Sequence, residues 1–330
     1  MKPLRSLSLH AGLLVLSGVA AAFAWSKDKT PRSAQETNVT VWNARPSDVS
    51  RIVHETKGKK VDLEARDEKK GERWYYGKVE YTSPPGAISQ PAAKSTVFAS
   101  VGPATKVVEA FAPFKALRAL GKVPDSRAAE FGFDKKDTSV TLTISGKERK
   151  LFIGSIAPGS GDTYALDPAT SEGYVLKSDP LRDLEGGESR LLEREQHVFK
   201  DSDMTSAKIT AGGKSRVIVR GGPEGKKFWA DPSDKEKNDE TLGNWMQKVD
   251  HLRVTEFAAK PPEGRTVLVR IDFDGASGNL GYFELSKAPS TDSSAQKGDY
   301  WIATEHTHLP GKIPATTGEQ VEQDLVSILK

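Results

Sequence analysis

The sequence predicts an α+β protein of two tandem β-β-β-α-β-β-β-β-α units with mostly antiparallel sheets, preceded by one N-terminal apolar helix. Three observations carry that prediction. The layout that starts at Arg45 (RPSDVSRIVHETKGKKVDLEARDEKKGERWYYG) returns at Phe199 (FKDSDMTSAKITAGGKSRVIVRGGPEGKKFWAD). Asp48 then matches Asp203, Ile52 matches Ala207, Val61 matches Arg216 and Trp74 matches Trp229, all at one offset of 155. A repeat this long marks duplicated domains, since solenoid periods run to roughly 20–50 residues. The other two observations are short alternating apolar runs joined by turns, and helical spacings placed after the third strand and at the end of each unit.

The elements follow in order. Lys2 and Arg5 precede an apolar run over residues 7–25, and 11–25 holds no charge. A basic start and an apolar run read as an export signal. Ala22-Phe23-Ala24 and Ala20-Ala21-Ala22 offer cleavage sites, whereas the length and Trp25 suit an uncleaved anchor. The expected localisation is a single N-terminal span in the cytoplasmic membrane with the body in the periplasm; the alternative is cleavage and a periplasmic protein. Residues 1–25 form this segment, 26–38 a polar linker, 39–197 the first unit and 198–330 the second.

In the first unit, residues 39–42, 60–65 and 74–81 alternate as strands, and 82–94 reads as a Pro/Ser/Gly loop. Val107, Phe111, Phe114, Leu117 and Leu120 predict a helix, with Pro113 inside it as a kink. Residues 139–144 and 150–153 make a hairpin around Ser145-Gly146, and 163–166 pairs with 174–176. Asp179-Pro180 opens a short helix that Gly186-Gly187 ends.

The second unit repeats the order. Strands fall at 207–209, 217–219 and 228–229. Leu242, Trp245, Met246, Val249 and Leu252 form an amphipathic helix capped by Asn238 or Asp239. Strands at 267–271, 282–285, 299–303 and 306–309 follow. Thr317-Gly318-Glu319-Gln320 is a capping box for a terminal helix with Val321, Leu325 and Ile328 on its face.

Composition excludes several functions. The chain has 330 residues, 36% hydrophobic and 28% charged, too apolar for wholesale disorder. Without Lys2 and Arg5 it holds 46 basic against 45 acidic residues, which argues against a nucleic-acid binder. With no cysteine, it has no disulfide, iron–sulfur cluster, thiolate zinc site or cysteine nucleophile.

The motif search yields little chemistry. His306 and His308 would face one side of a strand, but a metal needs a third ligand and Glu305 would point away. Asp272-Phe273-Asp274-Gly275 lacks the later ligands of a calcium loop and reads as a hairpin turn. Gly221-Gly222-Pro223-Glu224-Gly225-Lys226 lacks the spacing of a phosphate loop, and no G-x-S-x-G elbow exists. Residues 231–240 read as a solvated charged loop. Catalytic, cofactor and metal residues are therefore none. The one surface nominated for a partner or ligand is the cluster Trp74, Tyr75 and Tyr76, with Tyr75 as its exposed member.

Phe131-Gly132-Phe133-Asp134, Leu151-Phe152-Ile153-Gly154, Tyr164-Ala165-Leu166, Tyr174-Val175-Leu176 and the Leu-Arg-Asp at Arg182 resemble the bacterial domain-of-unknown-function 4340 family. The resemblance covers residues 39–195, and the second unit follows it only in layout. It implies an envelope accessory protein associated with ABC-type transporters linked to gliding motility, with no established activity. The expectation is a membrane-tethered, non-enzymatic scaffold that binds envelope proteins, ABC transporter subunits among them. A soluble binding module for a sugar or peptide is the alternative, and a hydrolase is a third reading for which no acid, base and nucleophile can be named.

Overall fold

The computed structural model describes residues 17, 38–68, 72–81, 95–290 and 298–330. The first unit runs β1 (Val39–Trp42), β2 (Val49–Thr56), β3 (Lys59–Asp67), β4 (Arg73–Tyr81) and β5 (Ser95–Ser100). It continues through α1 (Gly102–Phe111), β6 (Phe114–Ala116), β7 (Arg118–Lys122), β8 (Ser139–Ile144) and β9 (Lys147–Ile156). It closes with β10 (Thr163–Asp167), β11 (Glu172–Leu176), α2 (Asp179–Gly186) and α3 (Glu188–Leu191). The second runs β12 (Met204–Ala211), β13 (Lys214–Gly221), β14 (Phe228–Ala230), α4 (Glu240–Asp250) and β15 (Glu256–Phe257). Then come β16 (Thr266–Gly275), β17 (Gly278–Ala288), β18 (Asp299–Thr304), β19 (Gly311–Ile313) and α5 (Ala315–Ile328).

Seventeen of the strands join one antiparallel ladder, while β1 and β6 pair apart from it. Its order is β7-β11-β10-β9-β8-β2-β3-β4-β5, then β15-β19-β18-β17-β16-β12-β13-β14. Among the described residues the ladder is open, since β7 and β14 each pair on one side only. Both units share a strand order: β4-β3-β2-β8-β9-β10-β11-β7 corresponds to β14-β13-β12-β16-β17-β18-β19-β15. Within the ladder only β5 has no counterpart. It pairs with β4, and through Val97↔Phe257 it joins the two halves. Each unit has its own apolar core. Val107, Val108 and Phe111 of α1 pack into the first, and Leu242, Trp245, Met246 and Val249 of α4 into the second.

The class is mostly β, which corrects the expected α+β architecture. The helix expected from Val107 to Leu120 ends early, and the ten-residue α1 gives way to β6 and β7. Proline donates no backbone hydrogen bond, so α1 stops at Phe111, before Pro113. Beyond it Phe114 and Ala116 are buried and Lys115 is exposed, the period of a strand. Residues 306–309 form turns rather than a strand, and α5 opens at Ala315, ahead of the expected cap.

The expected localisation is also corrected. No helix among the described residues is long and apolar enough to cross a membrane. The apolar run 7–25, expected as the N-terminal helix and single span, lies outside the described residues apart from Ser17, as does the expected loop 82–94.

The repeat's register holds through the first hairpin of each unit and then slips. Ile52 faces Leu63 in β2–β3, and Ala207 faces Ile218 in β12–β13, both at the offset of 155. In the next pair Ala65 faces Tyr75, while its counterpart Arg220 faces Trp229. Trp229 therefore corresponds to Tyr75, not to Trp74, and each of these two rings enters its unit's core.

The same offset explains an oddity of the first core. His54 is 1% exposed and neither ring nitrogen has a partner. Its counterpart is Ile209, fully buried in the second core. Burial, reinforced by the Lys59 ammonium, pushes the His54 imidazole down to about 4. The folded state thus refuses a proton that the unfolded state takes near pH 6.5. Stability is whole above pH 6.5 and is lost as pH falls toward 4, by up to about 3 kcal/mol. His306, which burial also holds below the ordinary histidine value, adds to the loss. Urea melts of His54→Ile between pH 7.5 and 4 should retain most of the stability that the parent chain sheds in that window.

Candidate functional site

The site begins with the short strap between the units. Glu193 is 4% exposed, and a carboxylate so buried needs donors. Its Oε2 accepts from the Val101 and Gly102 amides at 3.0 Å, at the start of α1. Its Oε1 accepts from the Arg194 and Glu195 amides at 3.0 and 3.1 Å. Three residues on, the Gln196 side-chain amide donates to the Val249, Asp250 and Leu252 carbonyls at 3.3, 3.2 and 2.7 Å, closing the end of α4. The Val249 carbonyl also accepts from the Leu252 amide at 3.2 Å, and Arg253 Nη1 donates to the Asp250 and Leu252 carbonyls at 2.6 and 2.8 Å. His197 Nδ1 lies 2.8 Å from Glu305 Oε1, and its ring stacks on Phe199 at 4.5 Å.

The strap forms one wall of a cleft of about 620 Å³ in the second unit, larger than two other clefts of about 440 and 370 Å³. Its volume is in the range of ligand sites. β13, β14 and β16 contribute Arg220, Phe228, Trp229 and Phe273, and α4 contributes Gly243, Met246, Gln247 and Val249. Met204 lines it too, so two of the chain's three methionines meet there. Flexible thioethers adapt to varied apolar partners. The Arg220 guanidinium lies 4.7 Å above the Trp229 ring and bonds to Asp201. Arg194, Lys227 and Arg253, also lining it, make hydrogen bonds to backbone carbonyls and no ion pair among the described residues. No serine, threonine or tyrosine is among the described lining residues. The arrangement suits binding by stacking, apolar contact and charge, without a hydroxyl nucleophile beside His197.

The first unit is built differently at the position that matches His197. Trp42 stands where the strap has His197, donates Nε1 to the Phe111 carbonyl at the end of α1 (2.8 Å) and packs on Phe114 at 4.5 Å.

The aromatic cluster singled out in the sequence lies elsewhere, on β4. Tyr75 is buried at 2%, which corrects its expected exposure. Along β4 it shares the core side with Gly77 and Val79, and burial raises its phenol pKa. Trp74 and Tyr76 share the other face of the strand. Trp74 is covered by His308, which stacks on it at 4.8 Å with the rings 1° from parallel. Tyr76 is half-buried. His306 and His308 stand on turns with ring centroids 6.1 Å apart, near different carboxylates, Glu193 and Glu68. Among the described residues no group of three histidines or carboxylates could hold a metal ion.

The cleft residues carry no motif, and none was nominated. The available signal was the divergence of the second copy: Ala65 becomes Arg220, Ala44 becomes Phe199 and Trp42 becomes His197.

Comparison with known proteins gives a family. The model for "Domain of unknown function (DUF4340)" matches residues 105–267. Residues 105–267 are thus a DUF4340 domain. No curated protein and no solved structure matches it. The DUF4340 match begins in α1, crosses the strap and ends in β16, so it takes in nearly the whole cleft. It contains every motif that suggested the family, from Phe131 to Arg182, and extends beyond residue 195 into the second unit. Those DUF4340 motifs are packing devices. Gly132, at φ 76°, ends a 3₁₀ turn, and a Cβ there would stand 2.7 Å from the Ser155 amide. A Cβ on Gly154 would stand 2.1 Å from the Phe131 carbonyl. The two glycines let Phe-Gly-Phe and Phe-Ile-Gly-Ser close on each other.

Two substitutions should move stability in opposite directions. Gln196→Ala strips three carbonyls of a partner and should cost about 2 kcal/mol in chemical unfolding. Gly243→Ala adds a methyl that meets nothing within 4 Å, and the gain in helix propensity should stabilise by about 1 kcal/mol.

Proposed function

We propose that this DUF4340 protein is a non-catalytic binding module that takes an apolar segment of a partner into the cleft of its second unit. One observation carries the reading. The cleft gathers Phe199, Phe228, Trp229 and Phe273 with two methionines and an arginine whose side chain is 9% exposed. Aromatic and arginine side chains dominate the energetics of protein recognition. An adaptable apolar floor with a few placed polar groups is how such sites work. Envelope proteins and ABC-type transporter subunits are the partners this reading would look for first, by photo-crosslinking from position 227 at the rim.

Gly243→Phe supplies the discriminating variant, because its ring would occupy the cleft from a helix position with open space around it. Panels of short apolar peptides and oligosaccharides should contain compounds that raise the melting temperature of the parent chain. At a hundredfold excess over Kd, the gain corresponds to about 2.7 kcal/mol. The same compounds should leave Gly243→Phe unmoved. Stabilisation that persists in that variant would sink the cleft as the site.

A further inference from the structure

The duplication serves as an internal control on the cleft's one buried charge. Arg220 of β13 corresponds to Ala65 of β3, and Asp201 corresponds to Pro46, each opening a 3₁₀ turn. The shared fold therefore needs neither member of the Arg220–Asp201 pair. Yet the Arg220 side chain is only 9% exposed, while that of Asp201 is 68% exposed. Placing a guanidinium inside and its counter-ion outside is a costly way to make a structural ion pair.

The pairing is also incomplete. A guanidinium presents its Nε and Nη2 hydrogens as a fork that matches the two oxygens of a carboxylate. Arg51 and Asp62 of the first unit use it fully, Nε to Oδ1 at 2.8 Å and Nη2 to Oδ2. Among the described residues Arg220 gives only Nη2 to Asp201 Oδ2, and its buried Nε meets no acceptor. The fork is half used, in a cleft whose other cations, Arg194, Lys227 and Arg253, have no carboxylate partner among the described residues.

We propose that the Nε/Nη2 edge of Arg220 receives the carboxylate of a peptide ligand, and that Asp201 is a resident anion which the ligand displaces. The inference rests on the cleft-binding reading above and adds the chemistry of the bound group. The carboxylate would take both hydrogen bonds over the Trp229 ring, with an adjoining apolar side chain against Phe199, Met204 and Met246. A chain terminus and an acidic side chain both offer that carboxylate.

Isothermal titration on the full chain separates these possibilities with three probes: N-acetyl-Gly-Phe as the free acid, its C-terminal amide, and N-acetyl-Asp-Phe amide. The free acid should bind at least about tenfold more tightly than its amide, the worth of one charge-assisted hydrogen bond. An equal advantage for the aspartyl amide would assign the site to acidic side chains as well as termini. Arg220→Lys keeps the charge but not the fork and should erase the advantage. Asp201→Asn removes the competitor and should tighten the acid several-fold; it carries the test if Arg220→Lys fails to fold. Acid and amide binding equally, and both blocked by Gly243→Phe, would overturn the carboxylate site and leave the binding module standing. An advantage that survives Arg220→Lys, an Asp201→Asn that does not tighten the acid, or no binding of any probe to either the parent chain or Asp201→Asn, would likewise overturn it.

Discussion

The buried carboxylate of Glu193 holds the molecule's working parts in place. A charge out of water must be answered by donors, and four backbone amides answer this one, two of them at the positive end of α1. That demand pins the strap to the first unit. With Glu193 fixed, Gln196 reaches the end of α4, and His197 and Phe199 become a wall facing β14. His306 completes the clasp from the second unit, 3.8 Å from Glu193 Oε2. The cleft exists because one residue of the linker cannot leave.

Duplication then shows how the two units differ around the cleft. Both units inherit the same strand order and the same register in the first hairpin. In the first, Trp42 packs at the end of α1, and Ala65 and Pro46 carry no charge. In the second, His197 stands at the position of Trp42, and the Arg220–Asp201 pair stands at the other two.

Much of the β framework was legible in the sequence, because strand period and turn chemistry are local. The hairpins β8–β9, β10–β11 and β12–β13, the cap of α4 by Asp239 and its apolar face Leu242, Trp245, Met246 and Val249 all follow from neighbours along the chain. The failures have a common cause, which is contact at a distance. Spacings of three and four between Val107 and Leu120 mimic a helix, and the proline decides against it. Trp74 and Tyr76 share one strand face and suggest a core pair that leaves Tyr75 outside, whereas the pairing turns Tyr75 inward in register with Trp229. Trp74 is shielded by His308, 234 positions away in the chain. The cleft was illegible for the same reason: its walls come from the strap, three strands and a helix, and no local pattern announces them.

The joint between β5 and β15 has a consequence for self-association. Two separate sheets would present four free margins, each a template for another chain's strand. Fused through Val97 and Phe257, they present two. One is β7, five residues long with Arg118 and Lys122 at its ends; the other is β14, three residues long, with the Trp229 carbonyl already taken by the Asp239 amide. A protein this rich in strands has thereby kept its hydrogen-bonding margins short, charged or occupied, and has reduced its exposure to runaway edge-to-edge assembly without closing into a barrel.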